Sequence, residues 1–312
     1  MPIRPNDAPL VASLKQKLAT YSNHDLPGID ELDMLDCFIE QIVDSVRRIK
    51  YVKTILSKNL SPAVADVSSP AFDPLKAAVW HIRQNDFDEA FWLVFLATHF
   101  GKNKRTGWGL MKAVYGALGN QQPWTWKRTS ANSAGFCQWL QTNNSALKRS
   151  GKFGNHRKYE SLAATTPRGT GGAVTTYIDW VTVHTDHKGL INDALAIVGN
   201  NPRTLFSFLY KSMSSVMSFG RTGKFDYLTM VGKLGLADIE PDSTYMNGAT
   251  GPFRGAGLLF DGNKNTKLSK AKLGIALGDL ETHLGLYFGM QVLEDSLCNW
   301  QKSPSDYYYF SG

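Results

Sequence analysis

The chain has 312 residues, 43% hydrophobic and 20% charged, the composition of an ordinary globular protein with a substantial core. Its 34 Lys and Arg against 27 Asp and Glu give a formal charge of +7. No apolar run approaches the roughly 18 residues that a membrane span needs. Three widely spaced cysteines with no CxxC or Cys/His spacing argue against zinc, an iron–sulfur cluster or a disulfide framework.

In chain order, the opening MPIRPNDAPLVASLKQ lacks the apolar centre and cleavage site of a signal peptide, so the expected residence is cytoplasmic. Asp30–Leu60 carries apolar residues at helical spacing and predicts one long amphipathic helix or two shorter ones. SPAVADVSSPAFDP, with three prolines, reads as a linker ending near Pro74. Phe87–Gly101 is apolar on nearly every face and closes on a glycine, which predicts a buried helix. Helical patterns follow over Trp108–Leu118, Ser133–Asn143, Gly171–Val183, Leu190–Val198, Arg203–Ser218 and Phe225–Leu234, and strand alternation is scarce. The expected fold class is all-α, with a helical N-terminal extension and linker over residues 1–70 and a globular domain over 71–312. The aromatic ending SPSDYYYFSG is expected to pack back onto the body.

TYMNGATGPFRGAGLLFDG places Gly248, Gly251, Gly255 and Gly257 within ten residues, directly before an apolar run. A hairpin at Gly248–Gly251 between two short helices, with Pro252 early in the second, would let backbone N–H groups approach a phosphate. The positive end of the helix dipole would add to the attraction. The same stretch also suits a tight helix–helix connection. No Gly-Lys-Ser/Thr follows, so it is not a P-loop. Basic residues cluster at Lys102, Lys104, Arg105 and Lys112, again from Lys148 to Lys158, and again at Lys264, Lys267, Lys270 and Lys272. Such clusters suit a polyanion or are simply solvated surface.

A helix from Gly289 to Lys302 would put Gln291, Asp295, Cys298 and Lys302 on one face, with Glu294 and Asn299 beside them. Met290, Leu293, Leu297 and Trp300 would form the opposite, buried stripe. Two acids, an amide, a thiol and an amine could build a base-and-sugar pocket, or form the polar side of an amphipathic surface helix. KFGNHRKYES and SFGRTGKFD combine Phe-Gly with basic residues. Asn155, His156, Arg157, Lys158, Arg221 and Lys224 could touch phosphate or a base modification, and Tyr159 could stack on a base. Capping, turn formation and helix-end salt bridges are their alternatives. His99 reads as a core histidine.

GATGPFRGAGLLF resembles the helix-hairpin-helix element of the DNA glycosylase superfamily, whose hairpin grips one DNA strand without reading bases. Over a longer span, AFWLVFLATHFGK, FGNHRKYESL, SFGRTGKFDYLTMVGKLGL, YMNGATGPFRGAGLLF and GMQVLEDSLCNWQK resemble the α-glutamyl/putrescinyl thymine pyrophosphorylase family, clade 3. That resemblance covers roughly Asp86–Lys302. It implies a helix-hairpin-helix glycosylase-like core acting on double-stranded DNA with hypermodified pyrimidines. The residues themselves carry no signal for a cofactor, metal or membrane, and no obligatory protein partner is inferred. The resemblance also implies a carboxylate beyond the hairpin that stabilises positive charge on the sugar: Asp295 first, then Glu294, then Asp279, which lies nearest the superfamily spacing.

Gln291, Cys298, Asn299, Lys302, Asn155, His156 and Tyr159 would then line the base pocket. Gly248, Gly251, Arg254, Gly255, Arg157, Lys158, Arg221, Lys224, Lys264 and Lys267 would hold DNA. Where strand-cutting relatives carry a nucleophilic lysine, this chain has Phe253 and Arg254, and arginine cannot form the Schiff base. The expected function is monofunctional excision of a bulky pyrimidine, for example glucosylated hydroxymethylcytosine, from phage DNA in anti-phage defence. The alternative implied by the family name is a transferase or pyrophosphorylase acting on an activated hypermodified thymine.

Overall fold

The computed structural model describes residues 4–166 and 168–309, and these form fifteen α-helices and no β-sheet, so the chain is all-α. The first helices are α1 (Ala8–Thr20) and α2 (Leu32–Ser57). Next come α3 (Pro74–Arg83), α4 (Phe87–Phe100), α5 (Gly109–Tyr115), α6 (Trp126–Ala131), α7 (Ser133–Thr142) and α8 (Asn144–Ser150). They are followed by α9 (Thr170–Thr182), α10 (His187–Val198), α11 (Pro202–Ser212) and α12 (Arg221–Lys233). The chain closes with α13 (Thr250–Asp261), α14 (Lys270–Leu284) and α15 (Gly289–Trp300). It divides into two compact units, one of Met1–Val52 with Pro241–Ser311 and one of Lys53–Glu240. This division differs from the boundary expected at residue 70.

The first unit is discontinuous because the N-terminal helices bury their apolar sides against helices far along the chain. Val11, Leu14 and Leu18 of α1 and Phe38 and Ile42 of α2 share one core with Leu259, Leu277, Leu284, Leu297 and Trp300. Polar ties reinforce it. The Arg47 guanidinium contacts Asp7 at 2.7 Å and Asp44 at 2.9 Å, and the Tyr307 hydroxyl donates to Asp44. Gln41 Nε2 donates to the Tyr308 carbonyl at 2.9 Å. The aromatic ending thus returns to α2 through Tyr308, while Phe310, Ser311 and Gly312 lie outside the described residues.

The second unit is built around α4. The Asp86 side chain caps its first turn, Gly101 at φ +64° ends it, and the helix between is buried on nearly every face. It packs against α3, α5, α6, α10 and α12. Phe95 stacks on Tyr177 at 3.8 Å and on Phe219 at 4.9 Å between ring centroids. His99 is fully buried against Thr170 at 2.9 Å, and desolvation holds its pKa well below the ordinary histidine value. It is a core histidine.

Two acids in the first turn of α4 carry buried hydrogen bonds that nothing in the sequence pattern singles out. Asp88 holds His187 Nδ1 at 2.6 Å, and His187 Nε2 meets the Tyr177 hydroxyl at 2.7 Å, which in turn meets Tyr227 at 2.8 Å. Glu89 accepts from the Tyr115 hydroxyl at 2.8 Å and from the Trp126 N–H at 2.7 Å. Burial outweighs those two donors and pushes the Glu89 carboxyl up from 4.5 to about 7.

Between those values the folded protein holds a proton that the unfolded chain has released, so this group's contribution to stability falls as pH rises through that window. Glu89→Gln mimics the protonated acid and has no such loss. In urea unfolding it should gain on the wild type by on the order of 3 kcal/mol from pH 4.5 to 7 and no further above. A stability difference independent of pH would show that Glu89 stays ionised in the fold.

Candidate functional site

The last three helices are assembled through glycine. A Cβ on Gly255 would lie 2.4 Å from the Leu297 carbonyl oxygen, and one on Gly251 would lie 2.6 Å from Cys298 Sγ. Gly251 and Gly255 stand one turn apart on α13, so the backbone of α13 rests directly on α15. This corrects the expected hairpin. Residues 234–249 hold no helix, so the short helix expected before Gly248 is not formed. Pro241 and the turn in which Tyr245 donates to Asp242 at 2.6 Å keep the approach to α13 irregular. Gly248, at φ +80° and facing open space, is the turn residue; Gly251 and Gly255 are packing residues.

On α15 the predicted stripe of Met290, Leu293, Leu297 and Trp300 is buried. The predicted polar face is not an ordinary solvated one. Asp295 turns toward α2, where the Ser45 hydroxyl donates to its Oδ2 at 3.0 Å and Arg48 Nη1 stands 3.6 Å from the same oxygen. The Gln291 side-chain oxygen, one turn earlier, is buried without a hydrogen-bond partner. Such an orphan acceptor is uncommon and carries a desolvation penalty until something donates to it. Cys298 lies under Gly251, Glu294 is buried, and the exposed Lys302 donates to Asn299 Oδ1 at 3.0 Å. The arrangement offers a positioned carboxylate beside an amide oxygen that still lacks a donor.

Asp279 stands apart from this face in its bonding: it lies on α14, 42% exposed, and pairs with His24 Nε2 at 2.9 Å. Arg254 is exposed on α13, while Lys264 and Lys267 follow that helix's C-terminal end. Twelve helical residues, about 18 Å of axis, therefore separate Gly248 from those lysines.

The remaining expected site residues belong to the unit Lys53–Glu240. Asn155 and His156 are exposed on a single-turn helix, and Tyr159 is 82% exposed with the Lys158 ammonium 5.0 Å from its ring centre. Arg157 requires a correction, because it is buried and its guanidinium is occupied inside the protein. It donates to the carbonyls of His99 at 3.2 Å and Ser218 at 3.0 Å, lies over the Phe219 ring and faces Glu160 at 3.6 Å. It is a clamp within the fold and not a free phosphate contact. Lys224 donates to Ser214 at 2.9 Å, and the Arg221 guanidinium lies over the Phe225 ring.

Ser45 and Arg48, which hold Asp295, went unread in the sequence. The available signal was that Gln41, Asp44 and Ser45 interrupt the apolar run of α2, and all three are buried. Among the described residues, no group of three or more His, Cys, Asp and Glu side chains could hold a metal ion, and no helix is long and apolar enough to cross a membrane.

Fold and site together define an all-α protein whose last helix packs an acidic, amide-bearing face inward. The chain matches the alpha-glutamyl/putrescinyl thymine pyrophosphorylase clade 3 family over residues 33–312, and it belongs to that family. No curated protein and no solved structure matches it.

The glycine contacts yield a stability test. Gly251→Val drives carbon into Cys298 and should cost about 1–3 kcal/mol in unfolding free energy, as overpacking does. Adding Cys298→Ala should recover most of that loss, because the obstructing atom is a side chain. Gly255→Ala meets the Leu297 carbonyl, which no side-chain truncation removes, and should stay destabilised in the Cys298→Ala background. Failure of Cys298→Ala to rescue Gly251→Val would refute the packing assignment.

Proposed function

We propose that the protein is a monofunctional DNA glycosylase that excises a bulky hypermodified pyrimidine from phage DNA and leaves an abasic site. The observation that carries this reading is the α15 face, on which Asp295 is held by Ser45 and Arg48 one turn from the unpartnered Gln291 oxygen. Family membership supplies the substrate class, since its name refers to a modified thymine.

In the proposed reaction the N-glycosidic bond breaks and its electron pair leaves with the base. The sugar gains oxocarbenium character at C1′, and water adds there, keeping one proton in the new hydroxyl while its other proton, exchanged through solvent, is matched by the one that the released base takes up. Asp295 stabilises the cationic sugar, with Glu294 as its neighbour in the pocket wall. Both contacts to Asp295 fall on Oδ2, so Oδ1 is the oxygen assigned to the sugar. Gln291 faces the base, and Cys298, Asn299 and Lys302 follow two to three turns further along the chain. Under this reading the enzyme works in the cytoplasm against incoming phage genomes. The second reading, a pyrophosphorylase or group transferase acting on the base substituent, is favoured by the family's name alone.

Incubation with DNA carrying different modified pyrimidines, followed by mass spectrometry, should show free modified base and alkali-labile sites, with ordinary DNA intact. Pyrophosphate release with the glycosidic bond unbroken would establish the transfer reading instead. Borohydride should trap no covalent adduct. Asp295→Asn should bind DNA almost normally yet release base about a hundredfold more slowly or worse, the scale of a lost electrostatic stabiliser. Glu294→Gln should be milder. Loss of excision in Asp279→Asn with normal excision in Asp295→Asn would move the catalytic carboxylate to the His24 pair.

A further inference from the structure

Two of the three basic clusters are fastened to each other within the unit Lys53–Glu240. Asn103 exchanges backbone hydrogen bonds with Gly107 at 3.0 and 2.9 Å, closing a tight turn that carries Lys104 and Arg105. Asn103 Nδ2 donates to the Phe153 carbonyl at 2.9 Å, and the Lys152 N–H donates to Thr106 Oγ1 at 3.2 Å. The Gly154 N–H donates to the Phe100 carbonyl at 2.8 Å. The turn after α4 and the segment after α8 therefore form one surface.

A groove of about 410 Å³ runs along it, lined by the exposed Lys148, Lys152 and Lys158 together with Leu110, Phe153 and Leu162. Glu160 also lines it, and Arg157 stands 3.6 Å from that carboxylate. The sequence reinforces the asymmetry: between Glu89 and Glu160 it contains eleven Lys and Arg and no Asp or Glu. Those seventy residues bring only positive charge to the surface, offset locally by Glu160 in the groove and by Asp66 near Lys112, and the remaining excess of cations attracts an anion. Beside the groove, Tyr159 holds a ring that is 82% exposed, with Lys158 against it.

We infer that this groove carries the phosphate backbone of a DNA strand and that Tyr159 stacks on an unpaired base beside it. The inference rests on the reading of DNA as substrate and adds where the strand runs. Lysines as point charges suit phosphate oxygens, and an exposed tyrosine suits a base face without selecting its identity. The track holds DNA irrespective of sequence, which is what an enzyme searching a genome for rare bases requires.

The test uses the full chain and fluorescein-labelled unmodified duplexes, fully paired or with a single bulged base, in anisotropy titrations over a range of salt. Lys148→Gln/Lys152→Gln/Lys158→Gln should flatten the slope of log affinity against log salt by about 2 to 3. A control with the same charge loss outside the groove, Lys58→Gln/Lys188→Gln/Lys211→Gln, should leave it nearly unchanged. Tyr159→Ala should keep the slope and weaken the bulged duplex roughly tenfold, leaving the paired duplex little affected. All seven side chains are exposed, so thermal melts should match the wild type. Equal slopes for groove and control variants, or no DNA binding by the wild type, would overturn the inference. Base release is assayed separately: a wild type that binds through the groove but releases no base would refute the excision reading alone. Excision and salt slope both unmoved by the groove variants would refute the groove alone.

Discussion

The geometry of the acidic helix depends on backbone touching backbone. Gly255 brings α13 onto the Leu297 carbonyl of α15, and about one turn further along α13 a Cβ on Gly28 would lie 2.1 Å from the Leu258 carbonyl. Rotating or sliding α13 would break both close approaches, and a close-packed interior resists such shifts. The orientation of α15 follows. Its apolar stripe enters the core with Phe38 and Trp300, whose rings lie 4.9 Å apart, and Asp295 is delivered to Ser45 and Arg48. A side chain at Gly255 would displace the carboxylate without touching it.

The second unit meets a different constraint, that of polar groups built into an apolar helix. Glu89 and Asp88 enter the first turn of α4, where the helix dipole favours acids, and each finds donors from distant segments. Arg157 does the same at the opposite end, near Gly101, where it fills the His99 carbonyl while the Gly154 N–H fills that of Phe100. Gly223 leaves the space its guanidinium occupies, a Cβ there falling 2.7 Å from Arg157 Nη1. The Phe-Gly-basic pattern around Arg157 is thus explained by packing at that residue, while the neighbouring Lys158 and Tyr159 stay exposed.

The sequence made the helices legible wherever periodicity and caps agreed. Phe87–Gly101 and the helix beginning at Gly289 lie where expected, and Asp30–Leu60 contains one continuous helix and not two. Arg203–Ser218 ends early, at Ser212 followed by a 3-10 turn over Met213–Ser215, after which Val216 is extended and Ser218 adopts φ +63° on the way into α12. The glycines of α13 were misread for a physical reason. A glycine needed for positive φ and a glycine needed for close approach look alike in one sequence, and only the neighbour tells them apart; Gly248 is the first kind, Gly255 the second. Arg157 failed for a related reason, since charge is visible in a sequence and burial is not. The boundary at residue 70 followed a proline-rich composition, whereas the units follow contacts between chain ends that no local pattern encodes.

Under the excision reading, the partners of Asp295 act in opposite directions. Arg48 helps to anchor the carboxylate, but a guanidinium 3.6 Å from Oδ2 also cancels part of the negative potential that a sugar cation would feel. Ser45 orients the group without adding positive charge, so the hydroxyl fixes geometry at less electrostatic cost than the arginine. Oδ1 is then the oxygen with the larger uncompensated field, and the efficiency of the site turns on how far Arg48 stays from it. The transfer reading makes a different demand. It needs a group that activates an incoming nucleophile, and Gln291 Oε1, an acceptor of a proton donor's hydrogen bond, can orient an N–H or O–H but is too weak a base to remove its proton. On this face that task would fall to the Asp295 carboxylate, so the two readings differ in whether it stabilises a sugar cation or takes a nucleophile's proton.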